Sequence, residues 1–123
     1  MKIIDLDKVA GKLGLRGKYA DKLILLSSEV IVVLEETGRP KPDDVAKLEN
    51  TIQALKHGVL KRYLKSHPEK IVALIHAKRR DTMIPKILAS KTRKQTIYRK
   101  ASCNREVNAI LEKIQAQTRN PPK

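Results

Sequence analysis

A chain of 123 residues with a formal charge of +14, 41% hydrophobic and 33% charged, groups with folded rather than disordered proteins, and its length suits one domain with a modest core. A lone Cys103 excludes an intramolecular disulfide, and the start MKIIDLDK lacks the apolar stretch of a secretion signal. The longest apolar run falls well short of the roughly 20 residues that cross a bilayer. The expectation is a cytoplasmic protein, or a nucleoid or nuclear one, without a membrane span.

Charge divides the chain. In residues 1–55 nine basic side chains meet nine acidic ones, whereas from Lys56 onward eighteen basic residues meet only Glu69, Asp81, Glu106 and Glu112. That asymmetry suggests a neutral core and oligomerisation half, 1–55, joined to a half that faces a polyanion, 56–117. Together they form a single domain, 1–117, followed by a frayed tail, 118–123.

Taken in order, Asp5 or Asp7 caps a short helix that reaches Leu13 and stops at Gly14. The stretch ADKLILLSSEVIVVL, Ala20 to Leu34, has apolar residues at helical spacing and is apolar on most sides, which predicts a central helix over about 17–37. Gly38, Pro40 and Pro42 end it. Asp43 or Asp44 then caps an amphipathic helix carrying Val45, Leu48, Ile52, Leu55, Val59 and Tyr63. His67-Pro68 breaks it, and a helix with Ile71, Leu74 and Ile75 follows after a restart near Ser66. Short helices with Ile84, Ile87 and Leu88, and then with Ile97, Tyr98 and Ala101, precede a last one with Val107, Ile110, Leu111 and Ile114. No strand alternation stands out, so the expected fold is all-α: a compact bundle of five or six helices around the central apolar one.

The main functional feature is KRRDTMIPKILASKTRKQTIYRK, with the cations Lys78, Arg79, Arg80, Lys86, Lys91, Arg93, Lys94, Arg99 and Lys100 against the one acid Asp81. Gathering so many like charges costs free energy that nucleic-acid phosphate offsets while releasing counterions. The stretch IPKILASKTRKQTIYRKA reads as helix, basic turn and helix. Its QTIYRK segment is similar to the groove-entering helix of helix-turn-helix proteins, with Lys91 at the turn-glycine position and Thr92 at an apolar one. That likeness implies Lys91, Arg93 and Lys94 on phosphates and Gln95, Thr96 and Arg99 on base edges. A second such spacing, VAGKLGLRGKYADKL, reads better as a helical hairpin of the core. With only Tyr63 and Tyr98 in the basic region, base stacking on single strands is disfavoured and duplex DNA is preferred over RNA.

Catalysis finds little support in the linear pattern. GKLGLRGK lacks the spacing of a phosphate-binding loop. PDDVAK sets Asp43, Asp44 and Lys47 close together as some metal-dependent nucleases do, but a helix cap is the better explanation of the acids. His57, His67, His76 and Cys103 have no metal-ligand spacing. The expected protein is therefore a homodimeric, non-enzymatic, duplex-DNA-binding regulator or accessory factor, with no cofactor, metal or small-molecule substrate. The rivals are a sequence-independent architectural or RNA-binding protein, and an adaptor that docks an acidic protein or anionic surface.

Overall fold

In the computed structural model, which describes residues 1–64, 67–79 and 81–119, the order is β1 (Lys2–Asp5), α1 (Leu6–Leu13), β2 (Lys22–Leu25), β3 (Val30–Thr37), α2 (Pro42–His57), a 3₁₀ turn (Val59–Tyr63), β4 (Lys70–Ala77), α3 (Met83–Lys91), β5 (Thr96–Ala101) and α4 (Asn104–Arg119). The strands lie side by side in that order, β1-β2-β3 antiparallel and β3-β4-β5 parallel. The fold is thus α/β with a mixed five-stranded sheet, and the all-α expectation is overturned.

The reason lies in burial on both faces. β3 is covered above and below, so Val30, Ile31, Val32, Val33 and Leu34 are all buried and the strand shows no polar alternation. A continuous apolar run of this kind belongs to the interior strands of covered sheets, and its β-branched VIVV favours extended backbone. What read as one helix over 17–37 is two strands joined at Ser27–Glu29, where Ser27 Oγ accepts from the amides of Glu29 and Val30, both at 3.2 Å. The same correction applies to 71–77, which is β4, and to 96–101, which is β5.

Four helices start where the sequence suggests, but α2 stops at His57, and Val59 and Tyr63, expected within it, belong to the separate 3₁₀ turn after Gly58. Asp5 accepts from the Asp7 amide, and Gly14, at φ 70°, closes α1 in the left-handed conformation. At α2 the Asp44 carboxylate accepts from the Lys41 amide at 2.8 Å, and the Asp44 amide donates back to Lys41 O. Asp81 accepts from the amides of Met83 and Ile84 at the start of α3. The expected helical restart at Ser66 falls outside the described residues, as does most of the tail.

One face of the sheet, with Leu23, Ile31, Val33, Ile71, Ala73 and Ile75, packs against α1, α2 and α3. The other, with Ile24, Val32, Leu34, Val72 and Leu74, packs against Val107, Leu111 and Ile114 of α4 alone. No described helix is long and apolar enough to cross a membrane.

Candidate functional site

β3 is the strand at which the sheet changes direction: its neighbour β2 runs against it and β4 runs with it. In open sheets ligands bind beyond the carboxyl ends of the parallel strands, where connections diverge. Here that end is formed by Thr37, which pairs with Ala77, and by His76, which pairs with Ala101.

The pleat that sends Ile31 and Val33 toward α2 sends Glu35 the same way. Glu35 is 2% exposed, a rare state for a carboxylate. Its Oε2 accepts from Lys47 Nζ at 3.0 Å, while its Oε1 is buried with no hydrogen-bond partner. Leaving a buried acceptor unpaired costs about 1–3 kcal/mol, so such an atom asks for an explanation.

Two further carboxylates face it. Asp21, just before β2, donates its amide to Leu34 O and accepts with Oδ2 from the Glu36 amide at 2.7 Å. Asp44, in the first turn of α2, has Oδ2 tied to the Lys41 amide and Oδ1 3.9 Å from Lys47 Nζ. Burial pushes the Glu35 carboxyl up to about 8, with Asp21 and Asp44 adding to the rise and Lys47 opposing it. The bond to Glu35 in turn raises Lys47, against its own desolvation.

Among the described residues no group of three or more His, Cys, Asp or Glu is arranged as a ready metal cage. The centre is instead a small set of backbone-oriented carboxylate oxygens crossed by a lysine. Mg²⁺ sites commonly use one or two protein carboxylates and complete their shell with water and substrate phosphate. Asp21 and Glu35 fit that requirement.

On the opposite face of the same strand end, Glu36 is exposed and pairs with Lys22 at 2.9 Å and with His76 Nδ1 at 3.6 Å. These contacts, the bond from Lys22 foremost, hold the Glu36 carboxyl below the usual range. An open hollow of about 380 Å³ lies beside it, lined by Glu36, Thr37, Gly38, His76 and Lys78. Exposed Arg39, Lys41, Lys78 and Arg79 border this end, and Lys18 pairs with Asp43 there.

The basic residues read from the sequence are not one surface. Lys78 and Arg79 lie at the carboxyl end, and Arg80 falls outside the described residues. Lys86 is exposed on α3, while Lys91 is paired with Glu49 at 3.1 Å. Arg93, Lys94 and Gln95 sit at the opposite, amino end of β5, with Arg93 donating to the carbonyls of Ser90 and Thr92 and Gln95 to Pro68 O. Thr96 is buried and cannot read a base edge. Arg99 and Lys100 are on the edge strand β5, so the supposed recognition helix does not exist. The second helix-turn-helix spacing also dissolves, since α1 is followed by a loop and then β2.

The linear sequence does not single out Asp21 or Glu35, and it favours a helix cap at Asp44. The signal was an acid in phase with Ile31 and Val33 in the most apolar stretch of the chain, which becomes meaningful only once that stretch is a strand. No protein-family model, no curated protein and no solved structure matches this chain.

Proposed function

We propose that this chain binds nucleic acid across the carboxyl ends of its parallel strands and hydrolyses a phosphodiester bond there with a divalent cation held by Asp21 and Glu35. The observation that carries the reading is the buried Glu35 carboxylate with one oxygen unpaired, beside Asp21 and Lys47.

Asp21 and Glu35 would orient the cation, since main-chain amides and packing already hold their side chains. A divalent cation held by Asp21 and Glu35 would supply positive charge to stabilise the phosphate and to lower the pKa of a water. Lys47, displaced from Glu35, would bring an ammonium to where negative charge grows on phosphorus. Water adds to phosphorus and gives up one proton to solvent as the bond to one ester oxygen breaks, and the departing oxygen takes a proton from solvent. The products are a phosphomonoester and a free hydroxyl. Lys78, Arg79 and Arg39 would hold neighbouring phosphates.

A second reading, a nucleic-acid binder that does not cut, draws on the charge of +14 and on the exposed Lys78 and Arg79. Supercoiled plasmid, linear duplex and single-stranded oligonucleotide incubated with Mg²⁺ or Mn²⁺, and separately with chelator, distinguish the two. Cleavage that needs the cation and vanishes in Glu35→Gln supports hydrolysis. Retention of nucleic acid without cleavage by the wild type leaves the second reading, and loss of both removes each.

A further inference from the structure

The hydrolytic reading treats Lys47 as a group that meets substrate, yet the structure places its ammonium elsewhere. Lys47 Nζ is 3.0 Å from Glu35 Oε2 and 3.9 Å from Asp44 Oδ1, spanning two carboxylates of the acidic centre. Resting on the proposed hydrolysis, we infer that Lys47 is the resident counter-ion of this centre, competing with the divalent cation for Glu35 and moving to the substrate phosphate when the cation binds.

Three observations carry this. The carboxylates are fixed: Asp21 and Asp44 each anchor one oxygen on a main-chain amide, at 2.7 and 2.8 Å, and Glu35 is sealed by the core. Lys47 is not fixed in the same way, because its side chain is 33% exposed and, among the described residues, its ammonium pairs with the two carboxylates it spans. A four-carbon stem with free rotation lets a compact ammonium move several ångströms without disturbing the helix that bears it. Finally, Glu35 Oε1 is unpartnered, so an incoming cation gains a first ligand before Lys47 has left.

The chemistry follows from charge. A cation that arrives while Lys47 remains suffers repulsion from an ammonium only a few ångströms away, and one that arrives after Lys47 leaves must first break an ion pair. In either order the lysine weakens cation binding. The same lysine, displaced toward a phosphate, favours the reaction. Cation affinity and turnover are therefore set against each other in one side chain, an arrangement in which loading is favoured when a polyanion is present to receive the ammonium.

The test measures Mn²⁺ binding at pH 8.5, without nucleic acid, by the electron paramagnetic resonance signal of the free ion, in wild type, Lys47→Met, Lys47→Gln and Glu35→Gln. Circular dichroism melts confirm that each variant is folded. Both Lys47 variants should bind Mn²⁺ at least about tenfold more tightly than wild type, and Glu35→Gln should lose binding. At saturating Mn²⁺ the Lys47 variants should nevertheless cut plasmid more slowly, on the order of 10²-fold. Equal or weaker Mn²⁺ binding in both Lys47 variants overturns the inference even where the wild type cuts. Tighter binding in those variants with no cleavage by the wild type upholds the counter-ion role and discards hydrolysis. Mn²⁺ bound by none of the four proteins overturns both.

Discussion

At the amino ends of β4 and β5, Lys70 Nζ donates to Lys94 O at 2.7 Å, Arg93 to Ser90 O and Thr92 O, and Gln95 to Pro68 O. At the carboxyl ends, by contrast, Lys78 and Arg79 are exposed around a buried carboxylate that keeps an unpaired oxygen. Both regions are basic, but in the first the donors close loops by satisfying main-chain carbonyls, whereas in the second one buried carboxylate oxygen, Glu35 Oε1, lacks a partner. Charge alone therefore does not locate a site. The distribution of unmet hydrogen-bonding capacity does, because burying it is costly unless something else returns that cost.

The largest expected difference between the two ends is in cleavage. Asp21→Asn and Glu35→Gln should lower the cation-dependent rate at least about 100-fold, a loss at or above that of groups that merely support metal ligands. The amino-end double variant Arg93→Ala, Lys94→Ala should cut at nearly the wild-type rate. If the amino-end change abolished cleavage and the acidic ones did not, the assignment of ends would be reversed.

Stability should move in the opposite sense. Glu35→Leu fills a buried position without an unpaired acceptor and should raise the unfolding free energy by about 1–3 kcal/mol at neutral pH while eliminating cleavage. Thr92→Ala removes an acceptor for the Tyr98 amide and a donor at the end of α3, and should cost about 1–2 kcal/mol with cleavage intact. Urea titration reads both. A destabilised Glu35→Leu would mean that the carboxylate supports the fold.

pH distinguishes the ends next. The Glu35 carboxyl titrates at about 8 in the fold and at 4.5 ordinarily. Between those values the folded chain holds a proton that the unfolded chain has lost, so the contribution is fully present below 4.5 and declines as pH rises through 8. Thermal melts from pH 5 to 8.5 should show that decline, and Glu35→Leu should flatten it. Mn²⁺ binding should strengthen over the same range, since the ligand is the carboxylate.

The smallest effect concerns salt. Lys78→Ala with Arg79→Ala should reduce the slope of log affinity against log salt by about 1.8 if each side chain meets one phosphate. The Arg93, Lys94 pair should leave it nearly unchanged. Equal reductions would place nucleic acid along both ends.

Some of this was legible in the chain. PDDVAK marks the start of α2 and already contains Asp44 and Lys47, and Asp5 with Gly14 brackets α1. The failure came at Ala20 to Leu34, where apolar residues three and four apart fit a helix and where a strand covered on both faces leaves no polar alternation to contradict it. From that error followed the loss of Asp21 and Glu35, fourteen positions apart and joined only by the antiparallel pairing of β2 with β3.

By itself the amino-acid sequence determined the net positive charge and its concentration after Lys56, the starts of α1, α2 and α3 set by local capping, and the aliphatic character of the core. These depend on residue identity and on neighbours a few positions away. Only the tertiary structure decided which apolar runs became strands, which end of the sheet each cation reached, and that Glu35 would be buried between Asp21, Asp44 and Lys47. Those outcomes depend on hydrogen bonds and contacts between segments distant in the chain, where a one-residue change of strand register would turn Glu35 to the other face.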